Sequence, residues 1–252
     1  MFHARSTEGR HANPVGGVFP HGGTVSPLPA LRPSWPGEKI DLCSALASNP
    51  EAPPEIAKLL RQSRSTRDFD DRKPITLTEL SRFLDGAARA LPRPGSPEPI
   101  ARPFPSAGAS SELELYLSVH VCEGLAPGFY HYDAGAHALV PIEVPAAAVK
   151  ELLVQGASAM GVTAPPQILI MIAARFGRVS WKYSSIAYSL ILKDAGVLTQ
   201  TLYLMASGMG LGGCAIGIAN IDQFEKMTGI GFHIEGPVGQ FAIGRPLPPA
   251  GP

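Results

Sequence analysis

Gln167 to Ala174 is a nearly unbroken apolar run of strand length. A strand with one face in water alternates polar and apolar side chains, so an unbroken run predicts a central strand covered on both faces. The chain is therefore expected to build around a sheet core.

The neighbouring segments supply the rest of an α+β pattern. From Glu55 the order Glu-Ile-Ala-Lys-Leu-Leu-Arg-Gln-Ser reads as a short amphipathic helix. Thr76 or Thr78 caps a second helix ahead of Glu79-Leu80-Ser81-Arg82-Phe83-Leu84, where Thr and an early Glu suit the free amides of a first turn. Pro92 to Pro105 interrupts regular structure. Leu113 to Cys122 and Gly128 to Tyr132 read as consecutive strands of a β-meander, and Ala146 to Gln155 as a helix. Ser184 to Met209 is the longest helical candidate, and Val238 to Gly244 a final strand. The long helix is apolar on most of its circumference but carries Lys193, Asp194 and Gln200. A mid-membrane charge costs about 2.5 kcal/mol or more per residue, so the helix is read as buried in the core or a dimer interface. Residues 1–50, rich in Pro and Gly, are expected to form an extended arm, and residues 51–252 the domain.

Composition narrows the partners. Lys plus Arg equals Asp plus Glu at 21 each, which gives no electrostatic reason to expect nucleic acid or an anionic membrane. The three cysteines, Cys43, Cys122 and Cys214, are too scattered for a disulfide framework or a zinc cluster, and no histidine has metal-ligand spacing. No metal is expected. The N-terminal residues include His3, Arg5, Glu8 and Arg10 and offer no apolar export segment, so a cytoplasmic setting is the expectation.

Four motifs carry chemistry. Arg61-Gln-Ser-Arg-Ser-Thr-Arg67-Asp-Phe69 concentrates guanidiniums and hydroxyls suited to phosphate oxygens, although a solvated basic helix end has the same composition. Arg102-Pro-Phe-Pro-Ser-Ala-Gly108 fixes a loop with free backbone amides before a strand; an ordinary turn is the alternative. Gly208-Met-Gly-Leu-Gly-Gly-Cys-Ala-Ile-Gly217 holds close-approach glycines, but it follows a helix rather than a strand and so is no dinucleotide fingerprint. Trp181-Lys182-Tyr183 places a Lys and a Tyr where a desolvated pocket would let them exchange protons, though such a pair is usually surface and packing.

In order and rough spacing these pieces resemble the nitroreductase superfamily, and within it the SagB-type dehydrogenases, which oxidise thiazolines and oxazolines to thiazoles and oxazoles. The resemblance runs from Phe2-His3 through the Arg/Ser segment, Arg102-Pro-Phe-Pro-Ser-Ala-Gly, Leu115-Tyr-Leu, Pro127-Gly-Phe-Tyr-His-Tyr and Trp181-Lys-Tyr to Asp194-Ala-Gly, Gly210-Leu-Gly and Gly244-Arg-Pro. It implies an FMN-binding α+β fold with a mostly antiparallel central sheet flanked by helices. Arg64, Ser65, Arg67 and Arg245 would hold the FMN phosphate. Pro105, Ser106, Ala107 and Gly108 would line the isoalloxazine on one side, Gly212 and Gly213 on the other, with Gln200 also facing it.

The resemblance further implies a homodimer with the flavin site at its interface, a peptide or carrier-bound azoline substrate, and other biosynthetic enzymes as partners. Lys182 and Tyr183 match a Lys-Tyr pair associated with catalysis in the azoline dehydrogenases; one of them would take the ring proton, and dioxygen would reoxidise the flavin. An NAD(P)H-dependent nitro- or quinone-reductase and a non-catalytic flavin-binding scaffold are the competing readings. The chain departs from the family pattern at Ser63, at Ile186-Ala-Tyr-Ser189 and at Val197, where Arg, an Arg-Ala-Tyr-Arg run and His are common.

Overall fold

In the computed structural model the apolar run becomes a strand, Ile168–Arg175, with neighbours on both edges and helices on both faces. The structure describes residues 2–11, 54–95 and 100–248, together with 24, 29–32, 39 and 41–43. Most of the expected N-terminal arm therefore lies outside the described residues.

In chain order the strands are β1 (Leu91–Pro92), β2 (Ile100–Ala101), β3 (Leu113–Val119), β4 (Gly128–Asp133), β5 (Ala138–Ile142), β6 (Ile168–Arg175), β7 (Gly212–Ile216) and β8 (Glu235–Gly244). The main sheet has the order β5-β4-β3-β6-β8-β7, with every neighbouring pair antiparallel. The helices are α1 (Phe2–Arg5), α2 (Glu55–Gln62), α3 (Leu77–Ala88), α4 (Ala146–Met160), α5 (Phe176–Ser180), α6 (Ala187–Gly208) and α7 (Ile221–Thr228). None of the described helices is long and apolar enough to cross a membrane.

The side chains of β6 explain the layers. Ile168, Ile170, Ile172 and Ala174 pack in one core with α3 and α6, while Leu169, Met171 and Ala173 pack in the other with α4 and α7. Both faces are dry, which is why the sequence does not alternate. On α3, Leu80, Phe83, Leu84, Ala87 and Ala88 form a buried stripe at helical spacing, and Thr76 and Glu79 close a reciprocal capping box.

Several elements depart from expectation. Inside the Pro-rich stretch, Leu91–Pro92 pairs with Ile100–Ala101, since a ladder this short needs few amide donors. The helix expected to end at Gln155 continues to Met160 and stops at Gly161, whose φ of 76° suits glycine. The strand β7 arises inside the glycine-dense segment, where only glycine leaves room for its neighbours. At one edge of the sheet, β5 carries the exposed Pro141, which cannot donate to a further strand.

Gln167 joins the sheet to the segment that precedes α3. Its side chain is fully buried; Oε1 accepts from Ile75 N and Arg245 N, both at 2.9 Å, and Nε2 donates to Asp70 O at 2.9 Å. Residues 2–11 pack on the body of the same chain: His3 Nδ1 lies 3.0 Å from Tyr188 Oη, and Glu8 bridges to Asn220. Burial lowers the His3 pKa from 6.5 to about 4.

Two outcomes follow from these contacts. Gln167→Leu strands two amide donors and a carbonyl, and is expected to lower unfolding stability by about 2–4 kcal/mol in a urea titration. His3 binds its proton later folded than unfolded, so its docking is fully favourable above pH 6.5 and is lost as pH falls through about 4. Amide exchange at residues 2–11 should therefore rise over that interval while β6 stays protected.

Candidate functional site

The Arg/Ser segment leaves α2 and runs along the outer edge of β7. Thr66 N donates to Gly213 O at 2.7 Å, Ser65 forms a parallel bridge with Gly213, and Asp70 N donates to Arg245 O at 2.9 Å. The two motifs, far apart in sequence, touch because glycine lets them. A Cβ at Gly212 would lie 2.6 Å from Thr66 Cγ2 and 2.8 Å from Thr66 Cβ, and one at Gly213 would overlap the Phe241 ring. Tyr203 of α6 fastens the pair: its hydroxyl lies 2.8 Å from Ser65 Oγ and accepts from Ala215 N at 2.8 Å.

Arg64, Ser65 and Arg67 are exposed beside this junction, and among the described residues no carboxylate pairs with Arg64 or Arg67. Arg245 is placed differently. Its Nη2 donates to both oxygens of Glu79, at 2.6 and 2.7 Å, and this guanidinium holds the Glu79 carboxyl below the ordinary carboxylate range. An anion at this junction would meet Arg64 and Arg67 directly, but would compete with Glu79 for Arg245.

A second cluster forms on the loop after β2. Ser106 caps a single 3₁₀ turn, Ala107–Ala109, in which Gly108 has φ 56° and Ala109 φ 54°; Ser111 follows at φ 47°. Left-handed conformations at Ala109 and Ser111 cost about 1–3 kcal/mol each and persist where the surroundings over-determine them. Three side chains do so here. Asp194 Oδ2 accepts from Ala107 N at 2.8 Å, Lys182 Nζ donates to Gly108 O at 2.6 Å, and Arg178 donates through Nε and Nη2 to Ser110 O at 2.9 and 2.7 Å.

Lys182 and Tyr183 thus meet the Pro105–Gly108 loop. The Tyr183 hydroxyl sits 2.7 Å from where a Gly108 Cβ would be, so no larger residue fits unless Tyr183 moves. Both residues are presented by the turn that ends α5, their amides bonded to Val179 O at 3.0 and 2.9 Å. A cleft of about 330 Å³ lined by Arg175, Arg178, Trp181, Lys182 and Glu235 opens beside them, and Trp181 is 84% exposed. A larger cavity, about 650 Å³ between β4, β5 and α4, contains none of the expected site residues.

Helix α6 carries both clusters. Asp194 belongs to its buried stripe with Ile191, Leu198 and Leu202, and Tyr203 lies toward its C-terminus. At about 1.5 Å per residue the two are about 14 Å apart along the helix. Gln200 is exposed on α6 and its side chain makes no hydrogen bond among the described residues, so within one chain it joins neither cluster.

The roles of Arg178, Tyr203, Glu79 and Asp194 escaped motif reading. Asp194 had a legible signal, a carboxylate at core spacing in an apolar helix; the other three are defined by partners distant in sequence.

A family profile described as Nitroreductase family matches residues 60–245. MJ1384 of Methanocaldococcus jannaschii, named as a nitroreductase, is 31% identical over 183 residues, 70% of this chain and 85% of that protein. Among solved structures, a chain of the E. coli microcin synthetase McbBCD complex with truncated pro-MccB17 bound superimposes with a TM-score of 0.69 at 18% identity, covering 98% of this chain and 91% of that one. A protein of Desulfovibrio desulfuricans named as a nitroreductase, in complex with FMN, gives a TM-score of 0.51 at 13% identity over 80% of this chain and 91% of that one. The two structures show a common fold.

Gly212→Ala forces its methyl into Thr66 and is expected to cost about 1–3 kcal/mol in denaturant unfolding. The control Gly177→Ala, which meets nothing within 4 Å, should stay within about 1 kcal/mol of wild type.

Proposed function

The chain belongs to the nitroreductase family, and from that premise we propose that it is an FMN-dependent oxidase of thiazoline or oxazoline rings in a peptide or carrier-bound natural-product intermediate. One observation carries this reading: Lys182 and Tyr183 converge on Gly108, the point of the loop expected to lie against the flavin ring. The likeness in fold to a chain of a microcin synthetase bound to its precursor peptide supports a role in peptide modification.

The residues present fit FMN. Arg64 and Arg67, which pair with no carboxylate among the described residues, would form an anion-binding group with Ser65 at the junction with β7, where Gly212 and Gly213 let Thr66 and Phe241 pack closely. Pro105, Ser106, Ala107 and Gly108 would form a second group; Asp194, which holds it, and Tyr203, which holds the first, stand about 14 Å apart along α6. This separation suits an elongated ligand with an anion at one end and a flat polar ring at the other. Arg245 would assist the phosphate once released from Glu79.

FMN, when bound, accepts the hydride that the azoline ring gives up. The accompanying ring proton would leave to a base, either Lys182, which lines the cleft, or Tyr183, whose hydroxyl stands beside Gly108. Lys182 must be neutral to do so. The cleft beside the pair, with Trp181 at its mouth, would admit a ring carried on a flexible chain.

A homodimer belongs to the same reading. The outer face of α6 exposes Leu192, Val197 and Gln200 around Gly196, where nothing stands within 4 Å. A second copy packed there would cover the apolar side chains and would bring its own Gln200 to the interface. Other enzymes of the biosynthetic assembly are the further partners proposed, in a cytoplasmic setting.

The test is visible absorbance of the purified protein under anaerobic conditions. A flavin band that bleaches on adding a thiazoline-containing peptide supports the oxidase. Strong bleaching by NAD(P)H with none by the peptide favours the reductase. Lys182→Ala and Tyr183→Phe are each expected to slow bleaching by the peptide about 100-fold or more without loss of bound flavin. Unchanged rates in both variants would sink the assignment of the base and favour a scaffold role.

A further inference from the structure

Glu112 sits behind the left-handed turn, one residue after Ser111. It is fully buried, and neither carboxylate oxygen has a hydrogen-bond partner among the described residues. Its backbone is fixed by Arg175 N, which donates to Glu112 O at 3.0 Å as β6 pairs with β3. The side chain is thereby held in the interior with three charged groups around it: Asp194 from α6, Arg178 from α5 and Arg102 from the loop after β2.

The two carboxyls have different work. Asp194 accepts the Ala107 amide and needs its negative charge to do so well. Glu112 accepts no hydrogen bond from another residue among those described. Burial first, and then the facing Asp194, push the Glu112 carboxyl up to about 7, with its own backbone amide and Arg178 pulling the other way. Below about pH 7 the proton therefore resides on Glu112.

We propose that Glu112 is a positioning residue for the site: its proton spares Asp194 a second negative charge and so keeps the Ala107–Ser110 turn in the shape that meets Lys182 and Tyr183. Ionised Glu112 repels Asp194 and draws Arg178 away from Ser110 O, so two of the three clamps on the strained turn weaken together. The turn relaxes from its left-handed conformation, and the loop surface it presents changes. For flavin binding this rests on the preceding reading that the loop lies against FMN.

The sign follows from linkage. An acid whose folded value stands above its ordinary 4.5 contributes stability that is complete below about 4.5 and is lost as pH rises through about 7. Glu112→Gln removes the titration while leaving an amide that can donate to Asp194.

Without flavin, the melting temperature of wild type relative to Glu112→Gln is expected to fall by several degrees from about pH 5 to about pH 8, as a shift of this size predicts. Exchange of the Ala107 amide, corrected for intrinsic rate, should accelerate over the same interval in wild type alone. A difference between the two proteins that does not vary with pH overturns the buried proton. A varying difference with unchanged Ala107 exchange overturns its coupling to the turn.

In the flavin arm, the FMN dissociation constant should rise several-fold across the interval in wild type and stay flat in the variant. If neither protein binds FMN at any pH, the functional reading fails, while the flavin-free measurements still decide the role of Glu112. Should Glu112→Gln not fold, a carboxyl ¹³C titration of wild type decides: a Glu resonance titrating near 7 supports the proposal, and all Glu resonances titrating below about 5 overturn it.

Discussion

The Gln167 amide is the constraint on which the site depends. Its side chain reaches Asp70, Ile75 and Arg245, while its backbone carbonyl accepts from His120 N and Val121 N at 2.9 and 3.1 Å. One buried residue at the start of the central strand thus joins the tail of the Arg/Ser segment, the approach to α3, the loop after β3 and the end of β8. Unsatisfied buried amides are costly, so such a side chain tolerates only one arrangement of its neighbours. The exposed Arg64 and Arg67 take their place at the sheet edge from that buried arrangement.

The second constraint is the placing of charge on α6. Its stripe of Ile191, Asp194, Leu198 and Leu202 buries a carboxylate where packing alone would put an aliphatic side chain. That carboxylate meets the Ala107 amide, and with Lys182 and Arg178 it holds residues that would otherwise leave left-handed conformations. Strain in the turn and charge in the helix core explain one another. Each is unfavourable alone, and each persists because the other compensates it.

The architecture was legible where periodicity reports burial. The unbroken run at Gln167–Ala174 gave a strand with two covered faces, and the Thr76/Glu79 pair marked the start of α3. Helix α7 was not anticipated, although Asn220 caps it and Gly229 ends it with φ 72°; at eight residues it gives too few turns for periodicity to register. The strand β7 was hidden because glycine carries no side-chain pattern, and its pairing with β8 and with Ser65 is decided by Phe241 and Thr66 pressing on it. For the candidate site, motif order singled out Arg64, Ser65 and the Lys182–Tyr183 pair. It could not show that Arg245 is already engaged by Glu79, because that contact joins the first turn of α3 to the end of the last strand.

The two edges of the main sheet are finished in different ways. At β7 the backbone is occupied by the chain's own Ser65–Thr66 segment, so this junction also seals that border. At β5, Pro141 has no amide hydrogen to offer a further strand. An antiparallel sheet of this width would otherwise offer two templates for strands of other molecules. Loss of the Arg/Ser segment from its berth would therefore bare a glycine-rich strand with a free carbonyl at Gly213, and a local change at the edge would become a route to aggregation.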